Sequence, residues 1–102
     1  MTPNEYQKLA VRTCPDVNVR EMLTLGALGL AGESGEAVEH VKKFLFHNKE
    51  LNFDEFKKEL GDVAWYLAAL CTAAGFNFED VLQANIDKLK ARWPDGFKTG
   101  GG

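Results

Sequence analysis

Apolar and polar positions along this chain follow a helical period, and glycine and proline mark where each run stops. Thr2-Pro3 is a good N-cap and first-turn pair and predicts a short helix through about Thr13, which Cys14-Pro15-Asp16 ends. From about Arg20 to His47 the apolar residues Leu23, Ala27, Leu30, Ala31, Val38, Val41 and Leu45 form one stripe, predicting a long second helix. Its glycines, Gly26, Gly29, Gly32 and Gly35, are unusual in a helix interior, where each costs up to about 1 kcal/mol relative to alanine. Close packing against another helix accounts for them, and a kink near Gly32 is the alternative. After the polar turn 48–52, Asn52 caps a predicted third helix from Phe53 to about Ala74, which Gly75 stops. Asn77, followed by Glu79 and Asp80, opens a fourth through about Trp93, ended by Pro94-Asp95-Gly96. No stretch alternates as a strand would. The expected fold is all-α, an antiparallel four-helix bundle over residues 1–97, with residues 98–102 as a disordered tail.

The third helix changes this picture. From Val63 to Ala74 it is apolar almost all the way round, with Trp65, Tyr66, Leu67, Leu70 and Cys71 on different faces. A helix of that kind is buried on every side, and three partners in a chain of 102 residues supply too little cover. A homodimer or higher oligomer built around this helix is therefore expected.

Composition narrows the function classes. The hydrophobic share of 45% and charged share of 26% are those of an ordinary globular domain. A net charge of −3 gives no basic field for nucleic acid. The opening residues lack the basic and apolar regions of a signal peptide, and the apolar run from Val63 to Ala74 is too short to span a bilayer. Cys14 and Cys71 lie far apart and outside any metal-binding cysteine pattern. Cys71 reads as a small core residue, Cys14 as a loop thiol. A cytoplasmic protein with neither nucleic-acid nor membrane partners is expected.

The candidate chemistry lies in two acidic pairs. Glu33 and Glu36 are three apart on the second helix, as are Glu59 and Asp62 on the third, a spacing that puts Cβ atoms about 5–6 Å apart on one face. Antiparallel neighbours would bring the four carboxylates together. Like charges about 4 Å apart repel by roughly 4 kcal/mol at an effective dielectric of 20, which a proton or a cation must relieve. An all-oxygen set selects a hard ion, Mg2+ or Mn2+ before zinc. The alternative is a solvated acidic helix surface. Di-iron chemistry is disfavoured, because His40 and His47 are preceded three positions back by Ala37 and Phe44, not by glutamate. His40, four after Glu36, is positioned to hydrogen-bond it, or else is an ordinary partly exposed helix residue.

On the fourth helix Asn85, Lys88 and Arg92 form a polar and basic strip suited to phosphate oxygens, or else a solvated face making ion pairs. Trp65, Tyr66, Phe44, Phe46 and Trp93 are aromatic candidates for stacking on a base, although aromatics in a bundle are more often core.

Three segments together, GLAGESGE from Gly29 to Glu36, KELGDVAWY from Lys58 to Tyr66 and NIDKLKARWPDGF from Asn85 to Phe97, resemble the MazG-like all-α nucleoside triphosphate pyrophosphohydrolases. The resemblance covers most of the chain, from about Thr2 to Phe97. It implies Mg2+-dependent hydrolysis between the α and β phosphates, yielding a nucleoside monophosphate and pyrophosphate, by dimers or tetramers. Carried over by position, it makes Glu33, Glu36, Glu59 and Asp62 metal ligands and Asn85, Lys88 and Arg92 triphosphate contacts. The chain departs from the fuller EExxE pattern at Gly32, where the first glutamate would stand; Glu39 is a substitute outer ligand.

The mechanism this implies is an in-line attack of water on the α-phosphorus, with Glu36 accepting the proton and Lys88 and Arg92 steadying the departing oxygens. The alternatives are a dUTP or phosphoribosyl-nucleotide pyrophosphohydrolase of the same superfamily, or a non-catalytic helical module that binds metal to hold a dimer together.

Overall fold

The computed structural model describes residues 1–98. It contains four helices: α1 (Pro3–Val11), α2 (Val19–Phe46), α3 (Phe53–Ala74) and α4 (Phe78–Arg92). Thr2, Asn18 and Asn52 each accept a hydrogen bond from a first-turn amide, those of Glu5, Glu21 and Glu55. Gly75 ends α3 with φ of 81°, the left-handed cap that glycine adopts without strain, and the Phe76 amide closes back on the Cys71 carbonyl at 2.8 Å. Helix α2 runs through Gly32 as one element. The tail expected to be disordered lies, for residues 99–102, outside the described residues; Lys98 stands 3.9 Å from Asp95.

Helices α2 and α3 form the main packed pair, and their antiparallel register is legible from paired contacts. Gly26 lies against Leu70 and Gly29 against Tyr66. Further along, Glu33 meets Glu59 and Asp62, and His40 meets Glu59 and Phe56. The seam depends on the missing side chains: a Cβ on Gly29 would sit 2.0 Å from the Tyr66 ring, and one on Gly26 would sit 2.6 Å from Leu70. Close packing thus accounts for these two glycines. Around Gly32 and Gly35 a Cβ would meet nothing within 4 Å among the described residues.

Helix α4 is held by side chains of α1 rather than by its own cap. Asn77, expected to cap it, makes no side-chain cap bond. Gln7 Oε1 instead accepts from the Phe78 amide at 2.8 Å and Asn4 Oδ1 from the Glu79 amide at 3.0 Å. Gln7 Nε2 also donates to the Phe76 carbonyl at 2.8 Å. The first amides of α4, which have no partner within the helix, are satisfied from across the chain.

The chain is all-α with four helices, as expected, but within one chain the four do not all pack together as a bundle. Helix α4 packs on α1 and α3 and does not touch α2. The radius of gyration is 16.5 Å, against about 13 Å for a compact domain of about 100 residues. Buried apolar residues are few: Ala10, Met22, Ala68, Ala69 and Cys71. Leu60 and Leu67 on α3, and Val81, Leu82, Ile86 and Leu89 on α4, remain exposed. No helix among the described residues is long and apolar enough to cross a membrane.

Candidate metal centre

Three of the four expected carboxylates converge. Glu33 from α2 and Glu59 and Asp62 from α3 each offer an oxygen within 4.8 Å of the others. Glu36 is not among them; it is exposed on α2, one step beyond Glu33. The reason is helical pitch, since a step of three residues falls about 60° short of a full turn. With Glu33 on the seam, Glu36 points off it. Its charge still acts on Glu33.

The centre is short of positive charge and of donors. The Glu33 and Glu59 carboxyls face each other within hydrogen-bonding reach, yet Glu33 Oε2 and Glu59 Oε2 are shielded and find no hydrogen-bond partner among the described residues. Two carboxylates cannot satisfy each other without a proton or cation between them. The Glu33 carboxyl is accordingly pushed up from 4.5 to about 7, first by its contact with Glu59, then by desolvation and by the charges of Glu36, Asp62 and Glu59. This donor set, all oxygen with two unpartnered atoms, fits a hard divalent ion.

His40 does not pair with Glu36 as expected. Its Nε2 lies 3.8 Å from Glu59 Oε1, across the seam, because seven residues after Glu33 it again faces α3. Glu39, considered as an outer ligand, is exposed and lies 3.8 Å from Lys42. Nor does Tyr6, which sequence reasoning passed over, belong to an acidic pattern: α1 brings it close to Asp62, and burial and that charge raise its phenol pKa.

Beside the carboxylates lies a cavity of about 340 Å³ lined by Thr13, Glu33, Asp62, Trp65 and Tyr66. Of the aromatic candidates, Trp65 and Tyr66 thus reach the site. Phe44 and Phe46 are exposed near the end of α2, and Trp93 packs on Phe97 at 4.8 Å. Asn85, Lys88 and Arg92 are exposed on α4, and none lines this cavity. Arg92 lies over the Trp93 ring, 5.4 Å from its centre.

Residues 22–97 match the MazG nucleotide pyrophosphohydrolase domain. The chain belongs to the MazG family. It is also 36% identical over 91 residues to the Gene 37 protein of Mycobacterium phage L5, covering 85% of this chain and 80% of the phage protein. No solved structure matches it. Membership in the MazG family implies nucleotide pyrophosphohydrolase activity, and the acidic centre sits within the matched segment. Tyr6 and Thr13, which approach that centre from α1 and the turn after it, precede the MazG match.

Proposed function

We propose that this MazG-family chain hydrolyses a nucleoside or deoxynucleoside triphosphate to the monophosphate and pyrophosphate, with Mg2+, or Mn2+ in its place, held by Glu33, Glu59 and Asp62. The observation that carries the reading is the pair of shielded, unpartnered oxygens on Glu33 and Glu59 within a three-carboxylate group. An ion held by these three residues would neutralise phosphate charge and lower the pKa of a water beside it. Water attacks the α-phosphorus, the bond from that phosphorus to the bridging oxygen breaks, and pyrophosphate leaves with that oxygen and its electron pair. Glu36 stands outside the three-carboxylate group and one step from it, which suits a carboxylate free to accept the proton of water.

Asn85, Lys88 and Arg92 are the proposed triphosphate contacts, the two cations countering charge on the departing oxygens. Since α4 does not touch α2 within one chain, the strip is supplied by a second copy in a homodimer or homotetramer. The exposed Leu60, Leu67, Val81, Leu82, Ile86 and Leu89 support such an assembly. Light scattering at micromolar concentration tests it, and a stable monomer would remove the strip from the mechanism.

The reaction is tested by incubating the protein with each common ribo- and deoxynucleoside triphosphate, with and without Mg2+, and separating pyrophosphate from orthophosphate. Metal-dependent pyrophosphate release is expected, and Glu36→Gln should abolish it with the fold intact. A protein that Mg2+ stabilises but that turns over no nucleotide would instead be a metal-held helical module.

A further inference from the structure

The cavity beside the acidic centre is lined by two acids, Glu33 and Asp62, by the rings of Trp65 and Tyr66, and by Thr13. The Trp65 indole N–H donates to Thr13 Oγ1 at 2.7 Å. The Thr13 hydroxyl donates in turn to the Ala10 carbonyl at 2.7 Å. The polarity of this relay is fixed: an indole can only donate, and with its own proton committed to Ala10 the hydroxyl presents a lone pair. Tyr66 meets Trp65 edge-on at 5.0 Å and 87°, and is itself set against the bare backbone of Gly29. Both rings are therefore held in place, Trp65 by a polar bond and Tyr66 by packing.

Carboxylates that fit a cation, lining one cavity with fixed aromatic rings, suit a ligand that is anionic at one end and flat at the other. We infer that Thr13 is a positioning residue, whose hydroxyl holds the Trp65 indole as the wall against which the base of the nucleotide stacks. This rests on the nucleotide reading above. Thr13 precedes the segment that matches the MazG domain, so the family pattern does not specify the device. Stacking of a base on an aromatic side chain is sequence-tolerant, because every base has a π-face. The wall therefore contributes affinity for the nucleoside without choosing among bases.

The test compares two probes in the presence of Mg2+: a nucleoside triphosphate analogue with a methylene between the α and β phosphates, and inorganic tripolyphosphate, which has no base. Titration calorimetry gives both affinities without turnover. In Thr13→Val and Trp65→Phe the analogue should bind about 5- to 10-fold more weakly, within the range of one base–aromatic contact. Tripolyphosphate affinity should not change. For the substrate, KM should rise by a similar factor with kcat within about twofold. Thr13→Ser, which keeps the hydroxyl, should behave as the wild type, and the Val/Phe double variant should be no worse than either single one. Unchanged analogue affinity in Thr13→Val, or an equal loss for both probes, would overturn the inference while leaving the nucleotide reading intact. Wild-type protein that bound tripolyphosphate no more weakly than the analogue would also overturn it, since no base contact would be contributing. Wild-type protein that bound neither probe would remove both.

Discussion

Along α2 the same residue recurs every three positions, with opposite consequences in its two halves. Gly26 and Gly29 press against Leu70 and Tyr66, and a methyl group at either would collide. Gly32 and Gly35 stand in open space. Helical pitch explains the change: each step of three rotates the position by about 60°, so the row that starts on the α3 seam has turned about 180° by its end. Glutamate follows the same rule, with Glu33 on the seam and Glu36 off it. The first half of α2 is built for contact. In the second half, the positions that face α3 are Glu33 and His40, which meet charged residues there.

This contrast can be broken experimentally. The largest effect is expected in the acidic half: Glu59→Gln should cut metal-dependent turnover by about a hundredfold or more, the scale of losing a metal's charge stabilisation. The metal-free variant should nonetheless melt no lower than wild type, because a glutamine amide can donate to Glu33 where a carboxylate cannot. A lower melting temperature would mean that the acids hold the seam together. In the contact half the order reverses. Gly29→Ala should destabilise the fold by about 1–3 kcal/mol through overpacking, offset in part by alanine's helix preference of up to about 1 kcal/mol, as read by denaturant unfolding.

A third and smaller effect is on pH dependence. Glu33 titrates at about 7 in the fold, above its ordinary 4.5, so between those values the native protein binds more protons than the unfolded chain. Stability of the metal-free protein should therefore fall as pH rises from about 4.5 to 7, with the Glu33 contribution level above that. Thermal melts across this range should show the slope, and Mg2+ or Glu59→Gln should flatten it. The smallest effect belongs to the open glycines: Gly32→Ala and Gly35→Ala should each raise stability by up to about 1 kcal/mol. A loss at either would mean that something unseen covers that face.

The four helices were legible because their signals are local: Thr2 and Asn52 cap as expected, and Gly75 stops α3. The site was legible in part. ExxE places two acids on roughly one face but does not say which of them lies on the seam, and only the position of α3 separates Glu33 from Glu36. Spacing alone offers His40 a neighbour on the same helix, Glu36, whereas it faces Glu59 on the next. Asn77 carries a good capping sequence, yet Asn4 and Gln7 displace it. Thr13 and Tyr6 carried no signal, since their importance lies in contacts with Trp65 and Asp62 some fifty residues away. The open arrangement of α4 was foreshadowed only by the excess of apolar surface on α3.

The clasp between α1 and α4 has a consequence for the order in which the fold forms. Its bonds join residues 69 to 75 positions apart, among the most distant contacts in the chain, and such contacts are slow to form because a long loop must close first. The α2–α3 hairpin needs no such closure and can form while α1 is still searching. In native-state hydrogen exchange, the first amides of α4 should open together with α1 as one unit, below the barrier for opening the hairpin. Removing the Asn4 and Gln7 side chains would then free one end of the molecule and leave the carboxylate seam folded.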